Sequence, residues 1–80
     1  MRGRFPNGYN PKAFTVWYDR WKGRGWMWRE RKNSPHRVDP ETDVMEADGY
    51  DSRVHAQAGI RAELRERENR LASSELRAAN

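Results

Sequence analysis

The stretch WYDRWKGRGWMWRERK, residues 17–32, holds all four tryptophans of the chain and six of its sixteen Lys and Arg residues. Large apolar rings close cores, whereas cations stay in water. Any fold for this chain must separate the two along one short segment. Nine aromatic residues in 80, each able to bury roughly 150–250 Å², argue against a wholly disordered chain. The remaining composition pulls the other way. Apolar residues are 35% of the chain and charged residues another 35%, a balance that favours disorder in isolation. A chain this short buries only about 60% of its extended surface and usually needs a staple. There is no cysteine, which excludes disulfides and thiolate metal sites. His36 and His55 stand far apart and do not make a zinc site. A partner is the staple that remains.

Charge divides the chain into three parts. Residues 1–37 form a basic aromatic arm with ten Lys or Arg and two acids, a net of +8. Residues 38–51 form an acidic connector with six acids and no base, a net of −6. Residues 52–80 form a charged segment with six Arg and four Glu. The formal charge of +4 thus conceals a strongly basic arm beside an acidic stretch. The connector reads as a solvated linker or as a partner for basic residues.

The elements expected make a mainly α chain with an extended, irregular N-terminal arm and little independent core. MRGRFPNGYNP opposes regular structure. Asn10 and Pro11 suit an N-cap and first helical position. Phe14, Trp17, Tyr18 and Trp21 then recur at helical spacing, and Gly23 supplies a stop. A short aromatic helix is therefore expected over about 11–22, although FTVWY also has the composition of a strand. GWMWRERK is expected to be a short strand or extended run. Asp39 and Pro40 resemble a second cap and start, for a short acidic helix over about 40–47 ended by Gly49. A long C-terminal helix is expected over about 52–77, built from strong helix formers, capped by Asp51 or Ser52 and weakened locally by Gly59. Its apolar stripe of Val54, Ile60, Leu64, Leu71 and Leu76 is thin and is interrupted by Arg67 and Glu68.

The Trp/Arg segment admits three roles: nucleic-acid contact, an anchor to a protein partner, or a small core edged by Arg stems. The assignment favoured by the pattern is divided. Phe14, Trp17, Tyr18 and Trp21, with Ile60, Leu64 and Leu71 of the last helix, are expected to anchor to protein. Arg2, Arg4, Lys22, Arg24, Arg29, Arg31 and Lys32 are expected to meet phosphate, with Trp26 and Trp28 stacking on unpaired bases.

Other chemistry has little support. Aligning Gly49 with the glycine of a calcium loop puts Val44 and His55 at the terminal ligand positions, and both fail. No serine lies in a nucleophile elbow, and GRG at 23–25 is too short to cradle a phosphate. No enzymatic activity, cofactor or metal is expected. No apolar run approaches the roughly 20 residues of a membrane span. No apolar region follows the basic N-terminus, so no signal peptide is expected. The expected function is that of a small, basic, non-enzymatic structural or accessory protein in a larger assembly. That assembly would be a virus or phage particle or a ribonucleoprotein, placing the protein inside a cell or particle. The alternative is a small phage-type regulator that docks on a host enzyme.

Overall fold

In the computed structural model, which describes residues 10–79 and their side chains as far as Ser73, the aromatic segment folds as a hairpin, not a helix. The molecule is a small α/β fold with two layers: a three-stranded antiparallel sheet and one long C-terminal helix. The mainly helical architecture expected from the sequence is therefore incorrect. Asn10 does cap a turn, since its Oδ1 accepts the Lys12 N–H at 3.0 Å. That turn is a single 3-10 turn, Pro11–Ala13, and gives way at once to strand β1, Phe14–Asp19. Strand β2, Gly25–Glu30, returns beside it, with Phe14 opposite Glu30 and Asp19 opposite Gly25. The β-branched and aromatic residues of β1 gain cross-strand partners in this pairing. An isolated helix of this length would have no such support.

The second correction concerns residues 40–47. Only a turn forms there, closed by the Asp43 N–H on Asp39 O at 2.8 Å. The chain then extends into β3, Glu46–Tyr50, which pairs with the other edge of β2. Trp26 faces Tyr50 and Trp28 faces Ala47, so two steps on β2 match three on β3. This is a bulge, and Gly49 within it adopts φ +83°. Strict alternation would send Ala47 and Tyr50 to opposite faces. The bulge lets both pack on the core.

Helix α1, Arg53–Ala79, matches the expected C-terminal helix closely. Ser52 is its cap, with Oγ accepting the His55 N–H at 3.1 Å. At about 1.5 Å per residue α1 is about 40 Å long, twice the length of a six-residue strand. Its inner face of Ala56, Ile60 and Leu64 closes on Ala13, Phe14 and Trp28 to form the core. The chain thus has a core of its own, contrary to expectation. Trp28 is its largest member, with 1% of its surface exposed. It meets the edge of Phe14 at 5.7 Å, and its Nε1–H donates to the Tyr50 hydroxyl at 3.2 Å. Gly59 is what allows Tyr50 into this position. A Cβ there would lie 2.5 Å from Tyr50 Cζ and closer still to its hydroxyl. Met27, opposite Trp17 and pointing away from the helix, is also buried.

Candidate nucleic-acid interface

The β-hairpin determines where the aromatic and basic residues go. Alternation along β1 and β2 puts Phe14, Val16, Trp26 and Trp28 toward the core, while Trp17 and Arg29 share the opposite face. The four aromatics expected on one helical face are therefore dispersed. Phe14 is in the core, Trp17 is half-buried under the Arg29 guanidinium at 5.9 Å, Tyr18 is 53% exposed, and Trp21 is 91% exposed. Trp26 is half-buried beneath the Arg53 guanidinium at 5.3 Å, with Tyr18 against its edge. Trp28, assigned to base stacking from sequence, has no exposed face to offer. Ile60 and Leu64 are likewise used internally, and Leu71 is half-buried. Leu71 lines a shallow open groove of about 290 Å³ with Val38, Asp39, Thr42 and Arg70.

The acids of residues 38–51 decide which cations remain available. Asp43 lies 3.6 Å from Arg37, Glu46 accepts from Arg29 Nε at 3.1 Å, and Asp48 lies 3.9 Å from Arg24. Half of the acidic connector is thus paired with the basic arm. Arg24 and Arg29, both expected at phosphate, are engaged within the fold. Lys12, Arg20, Lys22, Arg31 and Lys32 are exposed and have no ion-pair partner among the described residues. They fall at two ends of the sheet. Arg20 and Lys22 occupy the hairpin tip. Lys12, Arg31 and Lys32 cluster at the far end, where the Arg31 N–H donates to Ala13 O at 2.8 Å. Six-residue strands separate the two groups by about 20 Å. Arg2 and Arg4 lie outside the described residues.

Sequence reasoning missed a cluster of buried charge. Arg67 has no exposed surface, yet all five of its N–H donors are used. Two go to the Glu30 carboxylate in a bidentate fork at 3.0 and 2.7 Å. The others go to Glu63 at 2.9 Å, His36 O at 3.1 Å and Val44 O at 2.8 Å. Asp43 lies 3.5 Å from Arg67 and 3.3 Å from Arg70, and its Oδ2 accepts the Val38 and Asp39 N–H groups at 2.8 and 3.2 Å. Arg37, Arg67 and Arg70 thus balance Glu30, Asp43 and Glu63. Burial acts to lower the pKa of Arg67. Hydrogen bonds to Glu30 and Glu63, with the charges of Glu30 and Asp43, outweigh it and hold the value above that of ordinary arginine. A raised value means that loss of the proton from Arg67 itself weakens the cluster only in strong alkali. The available signal was Arg67 itself, a charge standing in register with the stripe of Ile60 and Leu64.

Among the described residues no group of His, Asp and Glu could hold a metal, and no helix is long and apolar enough to cross a membrane. No protein-family model, curated protein or solved structure matches the chain at a significant level.

Proposed function

We propose that the protein is a small, non-enzymatic accessory component of a nucleic-acid-containing assembly, such as a virus or phage particle or a ribonucleoprotein. In this role it contacts the phosphate backbone with cations displayed by its sheet. The supporting observation is the division of charge. The acids of residues 38–51 occupy Arg24, Arg29 and Arg37, while Lys12, Arg20, Lys22, Arg31 and Lys32 remain exposed without an ion pair among the described residues. Five cations at two ends of a rigid sheet suit an extended polyanion that spans both. The expected location is inside a cell or a particle, wherever the assembly forms.

The test is binding of single-stranded oligonucleotides as a function of salt. Five neutralised phosphates give a log–log slope of roughly −3.5, and replacing Lys12, Arg31 and Lys32 together by Ala should flatten it by about 2. No binding to any oligonucleotide at about 50 mM salt would overturn the proposal. A phage-type regulator would in that case be the better description, and co-purification with one host enzyme rather than with a particle would identify it.

A further inference from the structure

Among the described residues Trp21 is the most exposed of the large apolar side chains, at 91%, and it stands on a turn built to hold it there. Asp19 Oδ1 accepts the N–H of Trp21 at 3.1 Å and of Lys22 at 3.2 Å. Arg24 lies 3.9 Å from the second oxygen of the same carboxylate. Gly23 and Gly25, at φ +64° and +76°, carry the chain back into β2. The indole therefore projects from an ordered tip, which lowers the entropy lost on binding. Its neighbours in sequence are Arg20 and Lys22, both exposed. Asp19 is occupied by the turn, Asp48 lies beside Arg24, and Asp51 is the remaining acid at this end of the sheet.

This surrounding distinguishes between partners. A protein hot spot rings its anchor with contacts that exclude water. Trp21 is instead almost wholly exposed, and its sequence neighbours Arg20, Lys22 and Gly23 are exposed too, offering solvated charge rather than such a ring. A flat ring between two cations matches a nucleobase between two phosphates, since every base offers a π-face and every linkage a negative charge. In duplex the faces are already stacked, so the base must be unpaired. We infer that Trp21 is a base-stacking finger that directs the protein to unpaired nucleotides, with Arg20 and Lys22 holding the flanking phosphates. This inference rests on the nucleic-acid role proposed above and adds the substrate class, single-stranded or looped strands.

The experiment is equilibrium binding of the full chain to a labelled single strand, to a strand of equal length made abasic throughout, and to a matched duplex. Trp21→Ala should weaken single-strand binding by roughly 5- to 150-fold, the range for one lost base stack. The salt slope should not change, because no charge is removed. Trp21→Phe should retain most of the affinity. The abasic strand should bind wild type and Trp21→Ala alike. If wild type binds and Trp21→Ala binds equally well, the stacking inference fails while the phosphate-binding role stands. Equal weakening on the abasic strand, or no preference for single strand over duplex, also overturns it. Failure of every oligonucleotide to bind removes both.

Discussion

Replacing Arg67 by Met tests whether the buried ion cluster holds the fold together. The variant removes five hydrogen bonds and leaves the Glu30 carboxylate, whose side chain has no exposed surface, without its bidentate partner. His36 O and Val44 O also lose their donors. Breaking one side of a buried pair typically costs about 3–5 kcal/mol. A chain of 80 residues has roughly 4–12 kcal/mol of stability in total, so Arg67→Met should remove a quarter of it or more. The buried charge, not the lost volume, is the expected cause. Glu30→Leu combined with Arg67→Met should therefore recover much of the loss, because Asp43 keeps Arg37 and Arg70 and Glu63 keeps Arg70. Urea unfolding followed by tryptophan fluorescence supplies the free energies, and Arg65→Met on the exposed side of α1 is the control. The double variant should be at least about 2 kcal/mol more stable than the summed single variants imply. A coupling energy below about 0.5 kcal/mol, or a single variant as stable as the control, would refute the assigned role of the cluster.

Gly59→Ala should destabilise the protein, although alanine is the better helix former by about 1 kcal/mol, because its Cβ would meet the Tyr50 ring. Pairing it with Tyr50→Ala should turn the same substitution neutral or favourable in a thermal melt. Trp28→Ala should cost about 3–5 kcal/mol as a large core truncation, whereas Trp21→Ala should stay within about 0.5 kcal/mol; urea midpoints of equal size would contradict the placement of the two rings.

The C-terminal helix was legible in the sequence because its evidence is local: strong helix formers and a serine cap. The hairpin was obscured by an accident of spacing. Phe14, Trp17, Tyr18 and Trp21 satisfy a helical period, and the overlapping run 14–19 satisfies alternation as Phe14, Val16 and Tyr18 against Thr15, Trp17 and Asp19. Local pattern could not choose between them; pairing with β2 did. The glycines at 23 and 25, between two aromatic runs, were the turn signal that favoured a hairpin. The stop expected of Gly23 was therefore real, but it ends a strand's turn rather than a helix. At the candidate site, the exposed cations were legible as charge, but which of them are paired was not. Glu46 with Arg29 and Asp48 with Arg24 come together only once β3 lies beside β2. The Glu30–Arg67 fork joins residues 37 apart in sequence, beyond the reach of any local period.

Between β2 and β3 the chain forms isolated turns and no regular element, yet Ser34, His36 and Asp43 are buried within it. Arg67 is what reaches across to this segment, through His36 O, Val44 O and Asp43. Charged hydrogen bonds of this kind gain their strength only after water has left, and the hairpin and helix must already be packed for that to happen. They are therefore expected to form on the native side of the folding barrier. Interactions absent from the transition state govern the rate of leaving the native state and scarcely touch the rate of reaching it. A contribution of about 4 kcal/mol made there corresponds to on the order of a thousandfold in native lifetime. The arginine at the end of the apolar stripe is thus expected to act as a latch in time: Arg67→Met should speed unfolding far more than it slows folding, and should expose the loop to protease sooner.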